Sequence, residues 1–114
     1  MTKGVAVKRL FLDTSKATFM VTKEATEKLD GERKQRYSKD GAPMWTVEML
    51  AQLPVEGGLV INVTVAGEKP NVASSTVVVV EDLEVIPWNT NGKHGNAFRA
   101  SKIRPQQATG SKAA

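Results

Sequence analysis

The chain has 114 residues, 40% of them hydrophobic and 25% charged, enough for one domain with a buried core and too few for two ordinary ones. With no cysteine and a single histidine, His94, it offers neither disulfides nor thiolate metal sites, and no second imidazole stands at ligand spacing. A net charge of +4 and a pI near 9.5 favour polyanionic partners, and no apolar run reaches the ~18 residues that span a bilayer.

Lys8, Arg9 and Asp13 interrupt the only N-terminal stretch apolar enough to resemble a secretory signal, so a cytoplasmic protein without membrane contact is expected. Val5 to Leu12 and Ala17 to Thr22 are rich in β-branched and aromatic residues. Asp13-Thr14-Ser15-Lys16 separates them as a polar turn, which predicts a first hairpin with Phe19 and Val21 on one face. From Lys23 to Asp40 the chain is strongly charged, with only Ala25, Leu29 and Tyr37 to bury. A short helix over Glu24 to Leu29 fits the four-residue spacing of Ala25 and Leu29, with Gly31 to end it. Arg33 to Gly41 lacks an apolar face and reads as a long mobile loop.

Pro43 opens the next segment, where Trp45, Val47 and Met49 alternate as in a strand although Met44, Val47 and Ala51 also fit a helix. Strand is the preferred reading, with Pro54 and the turn residues Gly57-Gly58 closing it. Leu59, Ile61, Val63 and Val65 then share the buried face of a half-exposed strand. Thr76 to Val80 is nearly pure valine. Leu83 to Trp88 follows Glu81-Asp82, and the two runs form either one bulged strand or two. Asn91-Gly92 tolerates positive φ, so Val85 to Ala100 reads as a second hairpin. The last strand runs from about Asn96 to Ile103, and Pro105 is expected to stop pairing.

These signals predict an all-β protein, a small OB-like barrel of five to six antiparallel strands with a long charged loop, a β-sandwich being the alternative. One domain is expected over 1–105 and a polar, disordered tail over 106–114. Catalytic parts are missing from the sequence: there is no nucleophile elbow, no phosphate loop and no paired histidine, so neither enzyme activity, a cofactor nor a metal is expected.

The binding candidates fall into two groups. Arg33, Lys34, Arg36 and Lys39 surround Tyr37 in the charged loop, although Glu24, Glu27, Asp30 and Glu32 nearly cancel them locally. The final hairpin carries Trp88, Lys93, His94, Arg99, Lys102 and Arg104, and no acidic residue follows Glu84. Cationic groups beside π-faces are what a single strand of DNA needs, phosphates neutralised and bases stacked. Trp45 shares a face with Val47 and Met49 and reads as a core anchor. Phe98 should be buried and Arg99 exposed, whereas Trp88 fits core or surface and Tyr37 either stacks bases or folds over the barrel. If the loop and the hairpin meet, they make one positive groove.

Asp40-Gly41-Ala42-Pro43-Met44-Trp45-Thr46-Val47, then Val63-Thr64-Val65-Ala66-Gly67-Glu68-Lys69-Pro70, then Leu83-Glu84-Val85-Ile86-Pro87-Trp88 with Asn91-Gly92 and Phe98-Arg99-Ala100 resemble the plasmid replication, integration and excision activators. These are small proteins of actinobacterial integrative plasmids and related mobile elements, and the likeness covers about 36–105. It implies an accessory of mobile-element replication, and no catalytic residue comes with it. No pair of adjacent amphipathic helices provides a recognition helix for a duplex. The sequence therefore predicts a single-stranded DNA-binding accessory protein of plasmid or phage DNA replication. Regulation through duplex DNA or a protein partner, and a structural role in a phage particle, stay open, as does homo-oligomerisation.

Overall fold

The computed structural model describes residues 10–106, and every regular element in them is a strand. In chain order these are β1 (Leu10–Phe11), β2 (Thr18–Glu27), β3 (Met44–Leu53), β4 (Gly57–Ala66), β5 (Val77–Glu81), β6 (Glu84–Thr90), β7 (Lys93–Arg99) and β8 (Lys102–Pro105). They form one eight-stranded sheet in the order β1-β6-β7-β4-β3-β2-β5-β8. Among the described residues no helix is long and apolar enough to cross a membrane.

The strands reduce to fewer passages of chain. Glu81 pairs with Lys102 and Glu84 with Arg99, so β5/β8 and β6/β7 keep a single register and are the two halves of one long hairpin. Its turn is Asn91-Gly92, with φ of 52° and 79°, the left-handed pair that a two-residue hairpin requires. Midway the hairpin kinks. Asp82 has φ 54°, Ser101 Oγ donates to its carboxylate at 2.8 Å, and Leu83 and Ala100 are buried beside it. The kink sends β5 to the edge of β2 and β7 to the edge of β4. The meander β2-β3-β4 is thereby joined to itself through the hairpin, and the sheet curls into a small barrel-like domain.

Closure is not wholly antiparallel as expected, because β7 runs parallel to β4, with Val63 opposite Phe98 and Thr64 opposite Arg99. The core lies inside the curl. Phe19, Val21 and Ala25 come from β2, Val47, Met49 and Ala51 from β3, Ile61, Val63 and Val65 from β4, and Val78, Val80 and Ile103 from the hairpin.

Several expectations are corrected. The predicted N-terminal hairpin does not form: β1 pairs with β6, the start of β2 pairs with β5, and Leu12 N donates to Leu83 O at 2.8 Å. The Asp13–Lys16 turn, closed by Ala17 N to Thr14 O at 3.1 Å, bulges outward and the chain resumes its course. Val5 to Arg9 lie outside the described residues. The Glu24–Leu29 helix is replaced by strand, since Ala25 is buried and Glu27 pairs with Trp45, tertiary pairing outweighing a weak helical propensity. Leu59 is 52% exposed because β7 meets β4 only at Val63 and Thr64, leaving the start of β4 uncovered. The expected last strand is broken at Ala100-Ser101, and pairing continues through Pro105 to Gln106, whose N–H donates to Val77 O at 2.9 Å. The predicted tail beyond it lies outside the described residues.

Candidate nucleic-acid interface

Residues 28–43, between β2 and β3, are folded by their own hydrogen bonds where a long mobile loop was expected. The Asp30 carboxylate accepts from the backbone of Glu32 at 2.7 Å and Lys34 at 3.0 Å. These bonds hold the Asp30 carboxyl below the usual carboxylate range, the Lys34 bond contributing most. A second turn follows, in which Ser38 Oγ accepts from Ala42 N. Between the two turns Arg36 lies beside Lys28 and Met44, its N–H bonded to Lys28 O at 2.7 Å and its carbonyl to Met44 N at 2.9 Å. Arg33, Lys34, Arg36 and Lys39 are exposed, and Tyr37 is 60% exposed.

The second group lies on the outer half of the long hairpin. Trp88 pairs with Gly95 across the ribbon, and a Cβ at position 95 would stand 2.7 Å from Trp88 Cζ2, so the indole lies directly on the glycine. Trp88 is 45% exposed, which places it on the surface. Lys93 and His94 are exposed beside the turn.

The two groups do not meet. The 28–43 segment leaves the sheet where Met44 pairs with Ala66, whereas β7, parallel to β4, carries Lys93 and His94 toward the Gly57 end. What lies between is the outer face of β3 and β4. Thr46, Asn62 and Thr64 point there because Val47, Val63 and Val65 point inward. A groove on this face is lined by Lys28, Thr46, Val60, Asn62, Thr64, Asn96 and Phe98, among others. The Lys28 ammonium has its pKa lowered, first by burial and second by the Arg36 charge.

Three predicted residues have other duties. Arg99 Nη2 contacts Glu84 Oε1 at 3.1 Å, and the Glu84 side chain is 4% exposed, so this arginine neutralises a buried carboxylate. Arg104 Nε pairs with Glu81 Oε2 at 2.7 Å. Lys102 lies past the kink with Arg104, beside a different groove that includes Glu68 and Lys69. Trp45 is a half-buried rim residue rather than a deep anchor, donating Nε1–H to Gly67 O at 2.9 Å with Lys69 Nζ 5.7 Å from its ring centroid. Phe98, expected to be buried, is half-buried and packs against the core.

Lys28, Thr46, Asn62, Thr64, Asn96 and Gly95 were not singled out from the sequence. The outward threonines and Asn62 are legible from strand alternation, but the partnership with Asn96 depends on the parallel β4–β7 pairing, which no local pattern encodes. The geometry defines a small barrel-like all-β protein with two aromatic, cationic connections at opposite ends of the outer face of β3 and β4, which carries Thr46, Glu48, Val60, Asn62 and Thr64. No protein-family model matches the chain, and no curated protein or solved structure matches it either.

Proposed function

We propose that this protein binds single-stranded DNA as an accessory of plasmid or phage DNA replication. The supporting observation is the order of the barrel's passages. Counting the kinked hairpin as the fourth and fifth passages, the second and third are β3 and β4, the face that binds oligonucleotides in an OB barrel together with the first–second and fourth–fifth connections. In this chain those two connections are the 28–43 segment with Tyr37 and the hairpin turn with Trp88, Lys93 and His94. The strand crosses the outer face of β3 and β4, with phosphates drawn to Lys34, Arg36 and Lys93 and bases stacked on Tyr37 and Trp88. The mobile-element role rests on the resemblance of 36–105 to the plasmid replication, integration and excision activators.

Fluorescence anisotropy with oligo-dT and with a duplex of equal length, at low and high salt, tests the reading. Tighter binding of the single strand, weakening with a log–log slope of ~0.7 per phosphate neutralised, is expected. Preference for the duplex would overturn it in favour of the hairpin ribbon acting in a groove of the double helix.

A further inference from the structure

The groove on the outer face of β3 and β4 combines features that a solvated surface does not require. Thr64 is only 9% exposed, lines the groove, and donates its hydroxyl to no other described residue. Such a hydroxyl, removed from water without a partner, is destabilising unless something else accepts or donates there. Thr46, Asn62 and Asn96 add a hydroxyl and two carboxamides to the same lining, and none of them makes a side-chain hydrogen bond to another described residue.

Lys28 lines the groove as well, with the Arg36 backbone bonded to its own. Two cations stand side by side, and no carboxylate is part of the lining. Glu48 is in register with Asn62, but its Oε1 accepts from Thr22 Oγ1 at 2.6 Å, which turns the carboxylate toward β2 and away from the groove. Arg36 has the Asp30 carboxylate as its counter-charge, but the Lys28 charge stands in a lining free of carboxylates, and a cation over a floor of hydroxyls and amides that can donate matches a tetrahedral oxyanion.

We propose that Lys28 and Thr64, with Thr46, Asn62 and Asn96 around them, form a phosphate site, occupied by a backbone phosphate of the bound single strand. The identity of the phosphate's owner rests on the single-strand reading given above, whereas the chemistry of the site does not. Lys28 supplies the charge, Thr64 a directed hydrogen bond, and the carboxamides contact the remaining oxygens. Because β4 supplies Thr64 and β7 supplies Asn96, the site exists only when the parallel seam is closed.

The test uses the full chain and two probes. With a labelled oligo-dT of about fifteen nucleotides, near the upper site size of one such barrel, Lys28→Gln is expected to weaken binding about tenfold and to lower the salt slope by ~0.7, one phosphate's worth. Thr64→Val, matched in shape, is expected to weaken binding roughly twofold to tenfold with the slope unchanged. Thermal melting checks that both variants are folded, and Asn62→Ala replaces Thr64→Val if the latter is not. With inorganic phosphate, amide resonances of Thr64 and Asn62 are expected to shift saturably in the natural protein and not in Lys28→Gln. Normal oligo-dT affinity and slope in Lys28→Gln would overturn the site and leave single-strand binding standing. A protein that ignores oligo-dT at low salt yet responds to phosphate at Thr64 would keep the site, assign it to a free phosphate, and remove the single-strand reading. No response to either probe would refute both.

Discussion

The two halves of the long hairpin share one register and differ in almost everything else. In the inner half, β5 and β8, Val78, Val80 and Ile103 point into the core and are at most 4% exposed. In the outer half, β6 and β7 beyond Val85 carry Pro87, Asn89, His94 and Asn96, all exposed. β-branched alternation makes the first half part of the barrel wall, whereas proline, asparagine and glycine leave the second half little to bury. The kink at Asp82 and Ser101 divides them. One hairpin in one register, its ladder interrupted at the kink, thus serves stability at one end and presents side chains at the other.

The comparison breaks most easily at the wall. Ile103→Ala should destabilise the protein by ~2–5 kcal/mol in urea unfolding, the range for a buried aliphatic side chain truncated to alanine. An effect no larger than that of Trp88→Ala would mean that the inner half is not part of the core. Next comes the boundary between the halves: Arg99→Met strips a charged hydrogen-bond partner from the buried Glu84, at an expected ~1.5–3 kcal/mol in the same assay.

Trp88→Ala and Tyr37→Ala should each lower oligo-dT affinity by ~1–3 kcal/mol while the melting temperature stays nearly constant. A parallel loss of stability would assign the ring to packing instead. Gly92→Ala, at φ 79°, places a side chain in the left-handed region and should cost ~1–2 kcal/mol. Faster hydrogen exchange is expected at the Lys93 and His94 amides, with the Val80 and Ile103 amides unaffected. The smallest effect concerns pH. Because folding depresses the Asp30 pKa, the turn it caps is fully supported above the ordinary aspartate pKa of ~3.9 and loses support as pH falls through the lowered value. Shifts of the Glu32 and Lys34 amides on acid titration, absent in Asp30→Asn, would show it.

Much of the fold is legible locally. The alternation of Val47, Met49 and Ala51 against Ile61, Val63 and Val65, and the Asn91-Gly92 turn, define two strands and a hairpin without tertiary knowledge. What was not legible depends on partners distant in sequence. Nothing around Asp13–Lys16 distinguishes a hairpin turn from an outward bulge, because the difference lies in whether Leu12 faces its neighbour or Leu83. The same holds for Arg99, exposed by alternation yet committed to a glutamate on the opposite strand. The charged segment was misjudged for a different reason: it has no apolar face, yet Asp30 and Ser38 cap turns that need none. The candidate site shows the same division. Tyr37 and Trp88 stand out by composition, while Lys28 and Thr64 gain meaning only from the groove that holds them.

The shared register of the hairpin also bears on the order in which the chain acquires its structure. Zipping from Asn91-Gly92 requires only short loops and proceeds through neighbouring residues, so it is entropically cheap and fast. The seams are another matter, since Phe19 must find Val78 and Val63 must find Phe98 across long stretches of chain. Folding is therefore expected to be limited by docking a preformed hairpin onto the β2-β3-β4 meander, with the bend at Asp82 and Ser101 deciding whether both edges are reached at once. Substitutions at the kink should then slow refolding more than they speed unfolding, the signature of contacts already made in the transition state.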